Sequence, residues 1–302
     1  MASSGRIVII INPISGTGGR LHVARDRAEQ ASALIRGCGF EPEIFITERP
    51  GHARELALAA LARGASRVVA WGGDGTVNEV GSALVFHDAT LGIVPCGSGN
   101  GLARELRIPF APAEAIAAAL GGPARRIDAG ELDGRLFFNV AGVGLDAQVA
   151  HRFAQRTTRR RGFLRYVAMT ASEMGRYRAD QYTIVVGDET LRVRPLLIAI
   201  ANGRQYGNGA LIAPSARLDD GRLDLVVVSA RSPLAALVRV PQLFTGRIAA
   251  VPGVMPRSVT ALELTAGRPQ IYHVDGEPFV GGVTIRAAVR PAALRVAVPV
   301  SA

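Results

Sequence analysis

Short runs rich in β-branched residues alternate, through the first 120 residues, with longer Ala-, Leu- and Arg-rich stretches whose apolar positions recur at helical spacing. Residues 6–11, 42–47, 67–71 and 91–94 are predicted as buried strands. Residues 20–36, 52–63, 76–85 and 99–106 are predicted as the helices between them. Alternation of this kind argues for a parallel sheet covered by helices on both faces, which binds ligands at the carboxyl ends of its strands.

From Arg126 the pattern changes to hairpin-like segments. RIDAGELDGRLFFNV places Asp133-Gly134, a type I′ turn signal, between two alternating runs. Further strands are predicted at 181–186, 191–201, 222–228, 258–264, 269–273 and 283–287, giving an antiparallel, mostly β second domain. An Arg-rich segment, 151–178, and a helix, 233–247, interrupt it. The last apolar run, 293–299, either closes this domain or returns to the first sheet.

A chain of 302 residues accommodates one large or two ordinary domains. All 35 Lys+Arg positions are Arg. Without lysine there is no Schiff-base chemistry, no Walker A loop and no kinase-type strand lysine, so a phosphate must be held by backbone N–H groups, Arg or a metal. The net charge of +10 invites an anionic partner. Aromatic residues make up only 5%, and the Arg is mostly dispersed, which argues against nucleic acid and leaves an anionic lipid surface. Two cysteines, Cys38 and Cys96, make neither a disulfide framework nor a zinc cluster and fit a reducing cytosol. No secretory signal and no membrane-spanning run is predicted, so any membrane contact is expected to be peripheral.

The candidate chemistry lies in three glycine-rich loops, each between a predicted strand and a predicted helix: residues 12–19, 72–76 and 97–101. Glycine lets a backbone approach a ligand, and N–H groups at a helix start favour anions. Three such loops on one sheet edge describe a polyphosphate cradle, with Asn12, Ser15, Gly16, Gly72, Gly73, Gly75, Thr76, Gly97, Ser98, Gly99 and Asn100 as nucleotide-binding candidates. Asp74 is an acid among anion-binding amides, and Mg²⁺ bridging to phosphates is the natural reason for it. In the second half, Asp275-Gly276-Glu277 presents two acids on one tight turn, candidates for proton uptake, although a solvated hairpin turn has the same local signature. Asp219, Asp220 and Asp224 frame a second acidic turn, which on local sequence reads as a hairpin. Residues 142–147 satisfy GxGxxA, but without a βαβ unit around them they are not read as a dinucleotide fingerprint. Arg159, Arg160, Arg161 and Arg165, interleaved with Phe163 and Tyr166, suit the headgroup region of an anionic bilayer as well as they suit a solvated helix face.

NPISG at 12–16, TERPGHA at 47–53, GGDGTVNEV at 72–80 and GSGNGLAREL at 97–106 resemble the diacylglycerol kinase catalytic-domain family, which includes soluble bacterial lipid kinases and is related to sphingosine kinases and NAD kinase. The resemblance continues in order through GVGLDA at 142–147, DGRLDL at 220–225 and DGE at 275–277. It implies a phosphofructokinase- and NAD-kinase-like α/β nucleotide domain over 1–127, a strand at 291–302 returning to it, and a β-sandwich carrying the lipid site over 128–290. ATP would lie in the cleft between them.

The family reading implies ATP and Mg²⁺, with Asp74 on the catalytic metal and Thr47 near the nucleotide. Glu277 would act as catalytic base, Asp275 as its helper or a metal contact, and Asp220 as the holder of a second, structural Mg²⁺. The implied activity is γ-phosphate transfer to a hydroxyl of a diacylglycerol-like lipid by a cytoplasmic, peripherally membrane-associated enzyme, and homodimerisation is left open. Gly101 departs from the family, which usually has Asp there. Two alternatives stand beside this reading: an NAD-kinase-like phosphotransferase, and a nucleotide-binding, membrane-associated regulator without turnover.

Overall fold

The computed structural model describes residues 6–15, 21–155, 177–207, 209–229 and 240–300. They divide into two units, Met1–Ile127 with Ala292–Ala302, and Asp128–Pro291.

The first unit is built from β1 (Arg6–Ile11), α1 (Leu21–Gly37), β2 (Pro42–Ile46), α2 (His52–Ala62), β3 (Ala65–Gly72), α3 (Asp74–Leu84), β4 (Thr90–Pro95), α4 (Gly101–Glu105) and α5 (Pro112–Gly121). Its strands pair in parallel in the order β2-β1-β3-β4. Val8 to Ile11 are all buried, although neighbouring residues on a strand point to opposite faces, so both faces of the sheet are covered. Each fully buried isoleucine contributes about 1.5–3 kcal/mol relative to an exposed one. Close helix approach depends on Gly92 of β4, where a Cβ would stand 2.7 Å from the Ala119 Cβ of α5. Beside that contact, the Arg67 Nη1 donates to the Ala119 carbonyl at 2.7 Å.

The chain continues through β5 (Ala124–Leu132), β6 (Arg135–Phe137), β7 (Val140–Gly144), α6 (Leu145–Gln155), β8 (Tyr182–Val186), β9 (Glu189–Val193), β10 (Leu197–Ala201), β11 (Gln205–Gly207), β12 (Ala210–Leu211), β13 (Leu223–Val228), α7 (Val240–Phe244), β14 (Val254–Val259), β15 (Ala261–Ala266), β16 (Ile271–Val274), β17 (Glu277–Val280) and β18 (Thr284–Ala297). In the second unit, one antiparallel sheet has the order β14-β13-β10-β7-β16-β17, and β9, β8, β15 and the first part of β18 form another antiparallel set. Residues from both sets, among them Val143, Ile184, Ile198, Leu225, Leu264, Tyr272 and Ile285, share one buried core, which makes this unit a β-sandwich. The end of β18 pairs in parallel with β4 through Arg295 and Val296, so the run at 293–299 adds a strand to the first sheet.

Several predicted elements differ from the observed ones. The run at 191–201 is two strands, β9 and β10, because Pro195 lacks an N–H and the chain changes sheets there. The run at 258–264 is likewise split at Thr260, where β14 leaves one sheet and β15 enters the other. The helix at 76–85 begins earlier, at Asp74, and the one at 99–106 shrinks to Gly101–Glu105 because Asn100 is left-handed, with φ 53°. β7 ends inside GVGLDA, at Gly144, and the rest of the motif opens a helix, α6, that the sequence did not announce. The β5–β6 hairpin has the expected turn, with φ 51° at Asp133 and 78° at Gly134. Within the predicted helix at 233–247 the structure describes α7, and residues 230–239 lie outside the described residues. Most of the Arg-rich segment, with Arg159, Arg160, Arg161 and Arg165, also lies outside them.

Candidate functional site

In the first unit, β1, β3 and β4 lie side by side, so their carboxyl ends deliver the three glycine loops to one sheet edge. Backbone and side chains then join loop to loop. The Asn12 N–H donates to the Trp71 carbonyl at 2.9 Å, and its Nδ2 to the Thr76 Oγ1 at 2.9 Å. Cys96 N–H donates to the Gly72 carbonyl at 2.9 Å. The Asp74 carboxylate accepts the N–H groups of Asn100 at 2.8 Å and Gly101 at 2.7 Å, clamping the third loop to the start of α3. Asn100 closes its own loop, accepting from the Gly97 N–H and donating to the Gly97 carbonyl, each at 2.8 Å.

The approach is close enough to require glycine. A Cβ at Gly97 would stand 2.6 Å from the Gly73 Cα, and one at Gly99 would stand 2.7 Å from Asp74 Oδ2. No side chain of the N-cap residue, Gly73, caps α3, so the first-turn amides at Gly75 and Thr76 belong to an uncapped helix start, the arrangement that attracts a phosphate. Ser98 is exposed at the tip of the third loop. Thr47 is buried, and its N–H donates to the Ile11 carbonyl at 2.9 Å. Ser15 Oγ donates to the Asn12 carbonyl at 2.8 Å, while Gly16 lies outside the described residues.

Two further residues brace this edge, and the sequence did not single out either role. Arg27 on α1 donates to the carbonyls of Asn12 at 2.9 Å and Ser15 at 3.0 Å, tying down the first loop. Glu79, one turn beyond Asp74 on α3, accepts the Gly51 and Ala53 N–H groups at 2.8 and 3.0 Å and so caps α2 from a neighbouring helix. Hydrogen bonds to a charged group contribute about 1.5–3 kcal/mol each. Glu79→Ala is therefore expected to lower the melting temperature by several degrees. An unchanged thermal melt would show that α2 does not depend on this cap.

In the second unit, Asp275 and Gly276 take φ 47° and 86°, forming the tight turn between β16 and β17. The Asp275 carboxylate accepts three backbone N–H groups, from Phe138 at 2.9 Å, Asn139 at 2.9 Å and Val140 at 3.1 Å. Asp275 thus braces the turn, and Glu277 stands exposed at the first position of β17. Behind the turn lies a polar group absent from the sequence-based candidates: Asp146 on α6 and His273 on β16, both buried, with half-buried Tyr206 on β11. GVGLDA carried the only sequence signal for it, and that signal did not reveal the partners.

The turn holding Asp219 and Asp220 is exposed, and Asp220 Oδ1 accepts the Arg222 N–H at 3.1 Å. Burial pushes the Asp224 carboxyl above its ordinary value, although a hydrogen bond from Ser215 pulls the other way. A raised value means that the folded state holds the proton more tightly, so this group's contribution to stability falls as pH rises from the unfolded value through the folded one. In metal-free buffer, Asp224→Asn is expected to raise the melting temperature at pH 7 and to lose that advantage below pH 4. Equal shifts at both pH values would contradict this account.

Among the described residues, no three His, Cys, Asp or Glu side chains gather into a metal-holding group. Mg²⁺ does not require one where phosphates supply the remaining oxygens, since one or two carboxylates then suffice. Asp74 fits that part: its carboxylate stands at the start of α3 among the loop amides and is held in place by the Asn100 and Gly101 N–H groups.

Residues 6–132 match the family model of the diacylglycerol kinase catalytic domain, and residues 139–298 match that of the YegS C-terminal NAD kinase beta sandwich-like domain. A Pseudomonas aeruginosa protein described as "Probable lipid kinase YegS-like" is 34% identical over 276 residues, covering 91% of this chain and 90% of that protein. Among solved structures, a diacylglycerol kinase from Bacillus anthracis str. Sterne superposes with a TM-score of 0.71 at 18% identity, covering 97% of both chains. An NAD kinase from Archaeoglobus fulgidus, solved in complex with ATP, superposes with a TM-score of 0.52 at 13% identity, covering 96% of this chain and 93% of that one. These structural likenesses establish the fold: an α/β domain with a parallel sheet, followed by an antiparallel β-sandwich.

Proposed function

This chain belongs to the diacylglycerol kinase catalytic-domain family, joined to a YegS-type C-terminal domain, and from that membership we propose that it is a lipid kinase transferring the γ-phosphate of ATP to a hydroxyl of a diacylglycerol-like lipid. The observation that carries the reading is the junction of three glycine loops, the first tied to the second by Asn12 and the second to the third by Asp74, since an uncapped helix start flanked by such loops suits a polyphosphate.

In this mechanism the amides of the 72–76 and 97–101 loops hold the phosphates, with Asn12 and Thr76 fixing the loops to one another. Mg²⁺, held by Asp74 when bound, supplies charge neutralisation on the phosphates. Glu277 takes the proton of the lipid hydroxyl as its oxygen attacks, and Asp275 keeps the turn in place for it. A positioned base contributes about 10²–10⁴ in rate. The acceptor is drawn from the surface of an anionic bilayer, to which a chain of net charge +10 is attracted. The enzyme then works peripherally on the cytoplasmic side. No helix among the described residues is long and apolar enough to cross a membrane.

The test is incubation with labelled ATP and Mg²⁺ across a panel of lipids and NAD. Label on a glycerolipid supports the proposal. Label on NAD alone, or ATP affinity without transfer to any lipid, overturns it in favour of a soluble phosphotransferase or a regulator respectively.

A further inference from the structure

His273 sits on β16 directly opposite Gly142 on β7 and Pro278 on β17. Its neighbours Tyr272 and Val274 face the sandwich core, so strand alternation turns His273 to the other face of the sheet. There it is 4% exposed and meets Asp146, which is 5% exposed. The glycine opposite makes the meeting possible, because a Cβ at Gly142 would stand 2.5 Å from Asp146 Oδ2 and 3.0 Å from His273 Nε2.

The hydrogen bonds assign the imidazole proton. The Gly276 N–H donates to His273 Nδ1 at 3.4 Å, so Nδ1 is the acceptor and the proton resides on Nε2. Nε2 lies 3.0 Å from Asp146 Oδ2 and donates to it. Tyr206 donates its hydroxyl to the same oxygen, with its ring edge-on to the imidazole at 6.1 Å. Asp146 lies in the first turn of α6, where a helix favours negative charge. The ring therefore links a fixed, buried carboxylate to the one backbone amide between Asp275 and Glu277.

We propose that His273 is the positioning residue of the 275–277 turn, carrying the rigidity of the buried Asp146 carboxylate through its ring to the Gly276 amide and so fixing where Glu277 stands. The role of Glu277 in this proposal rests on the lipid-kinase reading above. Asp275 holds one side of the turn through amides of residues 138–140, and His273 holds the other. Two isosteric variants cut the link at different ends. His273→Gln presents an amide nitrogen where Nε2 stood but removes the acceptor for Gly276. His273→Asn keeps an acceptor near the Nδ1 position but removes the donor to Asp146.

Hydrogen exchange of the full chain, resolved at Gly276, and steady-state kinetics with ATP and the lipid found by the panel test the proposal together. His273→Gln is expected to speed Gly276 exchange about tenfold, the loss of one hydrogen bond. It should also lower kcat by about 10² at unchanged KM for ATP, the penalty for a misplaced catalytic group. His273→Asn, which keeps the acceptor for Gly276 but loses the tether to Asp146, is expected to speed exchange and to lower kcat by clearly less than His273→Gln does. Unchanged exchange in His273→Gln, or equal losses of kcat and melting temperature in both variants with no difference at Gly276, overturns the proposal. Nitrogen-15 NMR of the unsubstituted protein gives an independent check, because a protonated Nδ1 would equally overturn it. If the unsubstituted enzyme phosphorylates no lipid, the kinase reading fails, while exchange and NMR still decide whether His273 holds the turn.

Discussion

Asp74→Asn is expected to reduce ATP-dependent phosphate transfer by about 10²–10³, the usual loss when a group stabilising developing charge is removed. The substitution keeps the side-chain shape and one acceptor oxygen, so it separates charge from volume. Its new NH₂ group must face a backbone donor, since the two Asp74 oxygens accept from Asn100 and Gly101 in the native arrangement. One amide therefore loses its partner, at a cost of about 1–3 kcal/mol. The melting temperature should fall by a few degrees, and nucleotide affinity should weaken less than kcat, because charge compensation matters most as the phosphoryl group moves. Calorimetric titration with ATP and turnover on the best lipid acceptor separate the two effects. Transfer within twofold of the unsubstituted enzyme would remove Asp74 from the chemistry and leave it as the loop clamp alone.

Glu277→Gln is expected to lower kcat by about 10²–10⁴ while leaving stability and nucleotide affinity essentially unchanged. Glu277 is exposed at the start of β17, so a neutral isostere there should change stability by less than about 0.5 kcal/mol. The contrast with Asp275 makes the assignment testable. Asp275 accepts three backbone N–H groups, so its loss should unsettle the turn and the melt together with turnover. A Glu277→Gln enzyme with normal kcat, or one that loses stability as much as activity, would mean that this acid is not the base.

The three glycine loops were legible because they are local: each is a short run between a strand pattern and a helix pattern, and its chemistry is carried by backbone amides that any reader of Gly, Ser, Asn and Thr can place. The two acidic turns were legible as turns for the same reason, through Asp-Gly pairs with positive φ at Asp275 and Gly276 and at Gly221. What those acids hold was not legible. Asp275 and Phe138 are 137 positions apart, and Asp74 and Gly101 are 27 apart, so no local pattern records their bonds. Glu79 looked like part of a loop signature, yet it caps a helix that precedes it in the chain. The sheet switches near Pro195 and Thr260 were hidden because strand-like alternation continues on both sides of each break, although the two halves pair in different sheets.

By itself, then, the sequence determined the parallel α/β half, the antiparallel half, the loops that suit phosphates and the acids available for proton transfer. These follow from periodicity and from residue chemistry over a few neighbouring positions. Only the tertiary structure decided that Asp74 clamps two loops, that Arg27 ties down the first loop and Glu79 caps α2, and that buried Asp146 and His273 meet half-buried Tyr206 against the 275–277 turn. Each of those facts depends on strand order and on the space a glycine leaves in a neighbouring strand, and both arise from packing that a linear pattern does not encode.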